Sequence, residues 1–347
     1  MVIDSGGIGG MDERRLRAGG APDGDLQPGE AAPGPGPAPT PGPTPSPPAP
    51  GGSLDDAVEV FQRLRSRLFG IAYRVLGSVS EAEDVVQEAW VRWQGADRAA
   101  VLDPGAFLAK ATTRLAINVA QSARVRREAY VGPWLPEPVD TSVDPQVGAE
   151  RGEAVELAVL LVLQKLNPVE RAAYVLREAF DYPYDDIAGM LQVTRANTRQ
   201  IVSRARKRLS AERRDPVDTA EHRRLLEAFV AAARHGDVAA LEGVLSADVV
   251  AYADGNGMRG VARLEVTGAG RVARISAFAR KFFPGAEYDV VEANGRPSLR
   301  LVRDGATVAL MSATVGPDGI DGLYWILTPA KLRAYERSAH RVTGRRP

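Results

Sequence analysis

The chain of 347 residues contains no cysteine, and this absence removes several classes of protein at once. Disulfides, thiol nucleophiles and cysteine-bound zinc or iron–sulfur sites are excluded. Only three histidines occur, His222, His235 and His340, and they lie far apart in sequence. We therefore expect neither a metal centre nor a bound cofactor.

Long hydrophobic runs and an excess of either charge are also missing. No apolar stretch approaches the roughly 18 residues of a membrane span. The first residues lack the basic-then-apolar pattern of a leader, so we expect a cytoplasmic protein without membrane contact. Lys+Arg and Asp+Glu are equal at 44 each. A nucleic-acid signal must therefore come from charge that is unevenly distributed along the chain.

The proline distribution divides the chain. Of the 25 prolines, 12 lie between Pro22 and Pro50, interleaved with Gly, Ala, Thr and Ser. Because such a segment has little apolar surface to bury, residues 1–53 are predicted to be a disordered tail. Residues 130–149 are again proline-rich and show no hydrophobic period, which predicts a linker.

Residues 54–129 show the period of helices. Apolar residues recur at steps of three and four until Gly77, and Ser80 with Glu83 has the spacing of a capping box that opens a second helix. A third helix is predicted from Ala106 to Glu128 after a turn-rich loop. Its predicted core face comprises Phe107, Leu108, Ala111, Leu115 and Val119.

A second helical unit is predicted over residues 150–214, and its end has the pattern of a helix-turn-helix. Ile187, Ala188 and Leu191 form the core face of a short helix, and Thr194 is a fitting N-cap for the next one. From Thr194 to Arg214 the chain has eight basic residues and one acidic residue.

A helix of this kind spans about 24 Å and fits the major groove of DNA. The side chains predicted to face the bases are Arg195, Arg199, Gln200, Ser203, Arg204 and Lys207. Arg208, Arg213 and Arg214 are predicted to meet phosphates, which makes affinity sensitive to salt. An ordinary solvated basic face is the alternative, but the short helix, the tight turn and the cap all favour DNA reading.

Residues 216–340 change from helices to alternating, glycine-punctuated segments. The doublets Asn294-Gly295, Asp304-Gly305 and Asp318-Gly319 separate apolar-alternating runs, which is the pattern of β-hairpins. Helices followed by a curved antiparallel meander predict an α+β domain.

These stretches together resemble RNA polymerase sigma factors of the extracytoplasmic-function family. SEAEDVVQEAWVRW and FLAKATTRLAINVAQSARVRRE are similar to sigma region 2, and LNPVERAAYVLREAFDYPYDDIAGMLQVTRANTRQIVSRARKRL is similar to sigma region 4. The segment YVGPWLPEP resembles a WLPEP signature of the SigJ-like subgroup. The resemblance implies two all-α sigma domains and, after them, a C-terminal SnoaL/NTF2-like cone.

The resemblance also implies partners and roles: core RNA polymerase and promoter DNA, with one domain for the −10 element and the other for the −35 element. The loop Asp97–Pro104 and the third helix would hold unstacked −10 bases. The −10 contacts implied on that helix are Asn118, Gln121, Ser122, Arg124, Arg126 and Arg127. The docking face for polymerase implied on the second helix comprises Glu81, Glu83, Asp84, Gln87 and Glu88. Both sets also fit plain solvated helix ends, where charges complement the helix dipole.

In the subgroup a DGGGK turn and an NPDKL segment are associated with regulation of the sigma factor in cis. Here they read DGNGM from Asp254 to Met258 and TPAKL from Thr328 to Leu332. The regulatory residues implied are Trp134, Leu135, Pro136, Glu137, Pro138, Asp254, Lys331 and Leu332. Met258 removes the charge of the subgroup's lysine, and Asp254 also fits a plain turn residue. We hypothesise that the C-terminal domain contacts the first domain or the linker near Trp134.

The sequence leaves two rivals to a sigma factor whose activity is modulated in cis. The first is a helix-turn-helix regulator that does not act as a sigma subunit, which would not need the basic, Asn-bearing third helix. The second is a SnoaL-type enzyme, against which the absence of histidine between Gly236 and Ala339 argues. We expect no catalytic residue. A small ligand in the C-terminal domain stays open, and no anti-sigma partner is evident.

Overall fold

The structure is a computed structural model that describes residues 54–142, 156–210 and 217–343. The predicted tail, the predicted helix start at Glu150, and Arg213 and Arg214 lie outside the described residues. Within these ranges no helix is both long and apolar enough to cross a membrane.

The first unit consists of three long helices: α1 (Leu54–Leu76), α2 (Val79–Gln94) and α3 (Pro104–Glu128). Gly77 ends α1 with a φ of 69°, which only glycine adopts freely. The cap of α2 is Ser78, whose Oγ accepts the backbone N–H of Glu81 at 3.2 Å. The predicted start at Ser80 was therefore two residues late, because the reversal at Gly77 is so tight that α2 begins at once.

The buried face of α3 differs from the predicted one. Leu108, Ala116 and Ala120 are buried as part of the core, whereas Ala111 and Leu115 are only half-buried. The reason is that α3 packs against α1 and α2 on one side and against helices of the second unit on the other. A helix with two neighbours buries a wider stripe than the single face that its sequence suggests.

The second unit is formed by four helices, α4 (Leu157–Gln164), α5 (Pro168–Glu178), α6 (Tyr184–Leu191) and α7 (Arg195–Ser210). A capping box between Asn167 and Glu170 fixes the start of α5. Buried side chains of both units form one continuous hydrophobic cluster, from Ala57 in α1 to Leu209 in α7. The two helical units are therefore packed together as one body.

Within residues 217–343, the third unit combines a six-stranded sheet with five helices. In chain order its elements are α8 (Thr219–His235), α9 (Val238–Val244), β1 (Leu245–Asp254), β2 (Val266–Thr267), α10 (Ala269–Ala277), α11 (Ala279–Phe282), β3 (Glu287–Ala293), β4 (Arg296–Arg303), β5 (Ala306–Gly316), β6 (Gly319–Ile326) and α12 (Pro329–Thr343). The strand order is β2-β1-β6-β5-β4-β3.

Strands β3 to β6 form the predicted antiparallel meander, with hairpin turns at the first two predicted doublets and a third turn at Pro317-Asp318, one residue before the third doublet. Asn294 and Gly295 have φ values of 53° and 72°, the left-handed pair that a type I′ turn requires. The sheet is not wholly antiparallel, since β1 pairs parallel with β6. Parallel neighbouring strands require a long crossover connection, and here all the elements between β1 and β6 form that connection. No local sequence pattern could predict that β1 pairs with β6.

The sheet is covered on both faces. One face packs against α8, α9 and α10 around Leu226, Phe229 and Leu241. The other face packs against α12 through Leu332 and Tyr335, and Leu135 of the predicted linker belongs to that cluster.

Candidate nucleic-acid interface and interdomain clamp

The recognition helix is α7, and its cap is the predicted one. Gln192 ends α6 in the left-handed conformation at φ 57°. Thr194 Oγ1 then accepts the backbone N–H of Asn197 at 3.2 Å. Thr198, Val202 and Ala205 are fully buried against the neighbouring helices. The local sequence therefore builds the helix-turn-helix and fixes which face of α7 is outward.

All six side chains predicted to read bases are exposed along the outer face of α7. Arg195 lies 3.3 Å from Asp185, and the Arg199 guanidinium lies 5.6 Å from the centre of the Tyr184 ring. Such exposed contacts contribute little free energy, so both arginines can leave them to bind DNA. Arg208, which we predicted to meet a phosphate, is exposed and lies 3.0 Å from Glu170 of α5.

Five of the six predicted −10 residues are exposed on α3, and the sixth is Arg127. Asn118, Gln121 and Ser122 are exposed on α3, and so are Arg124 and Arg126. Arg124 lies 3.9 Å from Glu128, and Arg126 lies 2.5 Å from Glu81 of the predicted polymerase-docking face.

Arg127 differs from the rest of that set because it is enclosed. Its guanidinium lies 3.4 Å from the centre of the Trp134 ring and donates to the backbone O of Leu76 at 2.7 Å and to Gln164 Oε1 at 2.5 Å. Burial lowers the pKa of Arg127 to about 10. In this conformation Arg127 joins α3, the linker and α4, and it is not presented to DNA.

Part of the predicted docking face on α2 is occupied by contacts within the chain. Asp84, Gln87 and Glu88 are exposed, whereas Glu81 and Glu83 are half-buried. Glu83 lies 2.5 Å from Arg65 of α1.

The proline-rich segment after α3 has a defined course from Tyr130 to Asp140. Glu137 accepts the backbone N–H groups of Val79 at 2.7 Å and Ser80 at 3.1 Å, and Ser78 Oγ at 3.1 Å. These are free donors at the first turn of α2, where the helix dipole favours a carboxylate. Tyr73 adds a bond from its hydroxyl to the Glu137 backbone O at 2.6 Å. Glu137 therefore fastens the linker to the first unit.

On its other side the same segment is bound by the third unit through an arrangement that we call the clamp, formed by Tyr130, Leu135, Asp254, Thr328 and Lys331. Asp254 Oδ2 accepts Lys331 Nζ at 2.6 Å and the Leu135 N–H at 2.8 Å. Asp254 Oδ1 accepts the hydroxyls of Tyr130 at 2.5 Å and Thr328 at 2.6 Å. Lys331 also donates to the Leu135 backbone O.

Within the clamp, Asp254 and Lys331 form a buried ion pair. Asp254 is 0% exposed and Lys331 is 5% exposed. Burial lowers the pKa of Lys331, and the neighbouring Asp254 carboxylate opposes that shift. The ammonium also lies 4.3 Å from the centre of the Trp134 ring. Removing one partner of such a pair leaves an uncompensated charge and costs about 3–5 kcal/mol.

The remaining implied regulatory residues surround this pair. Leu135, Pro136 and Pro138 are buried, and Leu332 is buried under the sheet. Met258, at the position of the subgroup's lysine, packs with the apolar cluster on the opposite face of the sheet. Asp254 at the end of β1 therefore does more than accept turn N–H groups, since its carboxylate reaches the linker.

Direct contacts between the two helical units were not predicted at all. Arg171 of α5 is 5% exposed and donates to the backbone O atoms of Val75 at 2.6 Å, Leu163 at 2.9 Å and Leu166 at 3.1 Å. Burial, and next the charge of Arg127, lowers the pKa of Arg171 to about 9. Arg114 of α3 donates to the backbone O of Met190 at 2.9 Å, just before the recognition helix.

Sequence reasoning missed Arg171, Tyr73, Tyr130 and Asn294 as interdomain residues. Asn294 accepts the Val139 N–H and donates to the Tyr73 hydroxyl at 2.9 Å, over a separation of 221 residues. No local pattern could have indicated this, because Asn294 already had a complete explanation as a turn residue.

Known proteins match both the helical units and the whole chain. A family model for Sigma-70 region 2 matches residues 60–128, and one for Sigma-70, region 4 matches residues 156–209. The extracytoplasmic-function (ECF) RNA polymerase sigma factor SigJ of Mycobacterium tuberculosis is 36% identical over 273 residues, which is 76% of this chain and 83% of that protein. The chain belongs to the ECF sigma factor family.

Two further relatives support the assignment. The probable ECF sigma factor SigI of Mycobacterium tuberculosis is 34% identical over 212 residues, 60% of this chain and 71% of that protein. The crystal structure of Mycobacterium tuberculosis SigJ superposes with a TM-score of 0.65 at 30% identity, covering 80% of this chain and 98% of that one.

These findings confirm the SigJ-like resemblance, the fold class and the sigma factor function. The regulator that does not act as a sigma subunit is not favoured. Sigma domains bind core RNA polymerase and promoter DNA to direct transcription initiation, and the family is not one of enzymes.

Proposed function

We propose that the described conformation of this ECF sigma factor is a closed one, which the C-terminal domain maintains in cis by holding the linker. The sigma domains are assigned to residues 54–129 and 150–214, the linker to 130–149 and the C-terminal domain to 216–340. The first sigma domain reads the −10 element and the second reads the −35 element, through the exposed residues of α3 and α7 named above. The protein works where core polymerase and DNA are, in the cytoplasm.

The observation that carries the proposal is the contact between the two sigma domains. Promoter elements centred at −10 and −35 are 25 base pairs apart, about 85 Å at about 3.4 Å per base pair. Here α3 is bonded through Arg114 to Met190 of α6, the helix before α7, and both domains share one hydrophobic core. One packed body of this kind cannot place α3 and α7 on both elements, so the domains must separate.

The maximum span of the linker explains why binding the linker keeps the two sigma domains together. At about 3.6 Å per residue, the chain between Ser142 and Glu156 spans at most about 50 Å. Between Ala129 and Glu156 it spans at most about 97 Å. A linker bound along Tyr130–Asp140 is therefore too short for both promoter elements, whereas a released one is long enough.

A disulfide that locks the linker tests this proposal. Asp140 and Ala293 face each other in an antiparallel bridge, and the chain has no other cysteine. The Asp140→Cys/Ala293→Cys variant, once oxidised, should reduce run-off transcription with core polymerase at least about tenfold, and reductant should restore it.

The matched control is a lock of the same kind that does not touch the linker. Val302 and Thr307 face each other between β4 and β5, so Val302→Cys/Thr307→Cys staples the sheet alone. This control should transcribe equally well with and without reductant. Undiminished transcription from the oxidised linker lock would show that the linker need not be released.

We propose further that the C-terminal domain is regulatory and catalyses no reaction. In support, neither a histidine nor a carboxylate, the side chains that most often serve as general acid or base, lines the cavity between β1 and α10 in the described part of this domain.

A further inference from the structure

The C-terminal domain contains a cavity that the clamp does not use. Its volume is about 400 Å³, within the range of small-molecule sites. The cavity lies between β1, the end of β6, the helices α10 and α11, and residues 255–263, which we call the wall segment. The clamp lies on the opposite face of the sheet, so the cavity is a second, separate site.

The lining is mainly apolar and aromatic. Trp325, Phe282 and Phe283 contribute rings, and Phe283 stacks on Trp325 with ring centres 6.4 Å apart. Among the lining residues in the described part of the chain, Lys281 is the single cation, and none is a carboxylate. Aromatic walls with one cation at an exposed position fit a largely apolar aromatic molecule that carries one acidic group.

The wall segment separates this cavity from the linker. Gly260, Val261 and Ala262 line the cavity. A few residues earlier, the Gly257 N–H donates to the backbone O of Val131 at 3.1 Å. Gly257 also packs against the Val131 side chain, where an added Cβ would lie 3.5 Å from Val131 Cβ. One short segment therefore contacts the cavity with one part and the linker with another.

The strands connect the two sites as well. Ala253 lines the cavity, and the next residue is Asp254 of the clamp. Leu327 lines the cavity, and its N–H and that of Thr328 both donate to the Asp254 backbone O, at 2.9 and 3.1 Å. A change in the position of either strand end at the cavity must therefore also shift Asp254 and Thr328 in the clamp.

We propose that this cavity binds an aromatic small molecule with one acidic group, and that its occupancy stabilises the bound linker through the wall segment. A molecule that packs against Val261 from inside favours the wall position that also bonds to Val131. By linkage, a ligand that prefers this state raises its population. The inference rests on the proposed closed state, to which it adds a ligand.

Binding is tested on the full chain with anilinonaphthalene sulfonate as the fluorescent probe. Ala251 lines the cavity, and Ala306 is exposed in a hairpin away from it. Ala251→Trp should weaken probe binding at least about tenfold, and the matched control Ala306→Trp should bind like the unmodified chain. If Ala251→Trp does not fold, Ala262→Trp fills the cavity from the wall segment. Equal affinities across folded variants would overturn the site.

The acidic group is tested with a neutral analogue. Lys281→Met should weaken binding of the sulfonate probe about fivefold and leave that of uncharged phenylnaphthylamine unchanged. An equal effect on both probes, or none on either, would contradict the assigned ligand class.

The link to the linker is tested by hydrogen exchange. Saturating probe should slow exchange of the Leu135 and Gly257 amides about fivefold, and should leave them unchanged in Ala251→Trp. Because coupling is reciprocal, Asp254→Asn should weaken probe binding by a similar factor. Unaltered exchange and unaltered affinity would overturn the coupling. None of these measurements uses polymerase or DNA, so their failure is distinguishable from failure of the transcription test.

Discussion

The recognition helix and the linker region both carry cations, and they use them in opposite ways. On α7 the cations Arg195, Arg199 and Arg204 are exposed. Next to the linker, Arg127 and Lys331 bond to backbone carbonyls, to a carboxylate or to an aromatic ring, and between the helical units Arg171 bonds to backbone carbonyls. An exposed cation keeps its hydration and can exchange it for a phosphate or a base. A buried one has already given up water and depends on the partners that replaced it.

Removing a buried cation should have the largest effect on stability. Arg171→Met removes the donor to the backbone O atoms of Val75 in α1 and Leu166 in the turn after α4, and should lower the free energy of unfolding by about 4 kcal/mol. Urea denaturation of the full chain measures this. Arg204→Met on α7 is the control and should change stability by less than about 0.5 kcal/mol. Equal losses would mean that burial does not distinguish the two sets.

Breaking the clamp should have the next largest effect. Lys331→Met keeps the apolar stem beside Trp134 but leaves Asp254 charged and buried, which should cost about 3 kcal/mol. The double variant with Asp254→Asn should cost less than the two single variants added together, since no unpaired charge remains. Arg333→Met is the control on the exposed side of α12. Strict additivity of the clamp variants would contradict direct pairing.

Substitutions on the outer face of α7 should change DNA binding and not stability. Arg199→Ala should cost the holoenzyme about 1–3 kcal/mol at one position of the −35 element and relax its base preference there. Competition between promoter fragments that differ at that position measures the preference. Arg208→Ala, in contrast, removes a predicted phosphate contact, so it should weaken all sequences alike and reduce the salt slope by about one unit. A uniform loss for Arg199→Ala would make it a phosphate contact.

Glu137→Gln should give the smallest effect, about 1 kcal/mol of stability. The amide keeps an oxygen for the first-turn N–H groups of α2 but loses the charge that the helix dipole favours. Differential scanning calorimetry of the full chain at low and high salt measures it. The Glu88→Gln control, on the exposed face of α2, loses only an exposed ion pair with Arg92 and should cost less than about 0.5 kcal/mol. A loss that equals that of the clamp variant would place the main fastening at α2.

Much of this architecture was predictable from local patterns. The helix-turn-helix, its Thr194 cap, the three hairpins and the α+β class followed from short-range rules, because capping and turn geometry involve residues only a few positions apart. The sigma factor assignment followed from motifs of the same short range. Two errors arose: α2 starts earlier than predicted because of the tight reversal at Gly77, and the buried face of α3 is wider because a second unit packs against it.

The sequence by itself determined which helices and hairpins form and which face of α7 is outward, since each depends on the spacing of nearby residues. Only the tertiary structure decided that Asp254 pairs with Lys331, that Arg127 lies on Trp134, and that a proline-rich segment without hydrophobic period is bound on both sides. Those contacts join residues far apart in the chain. An ionisable side chain shows its role only when the groups that replace its water are known.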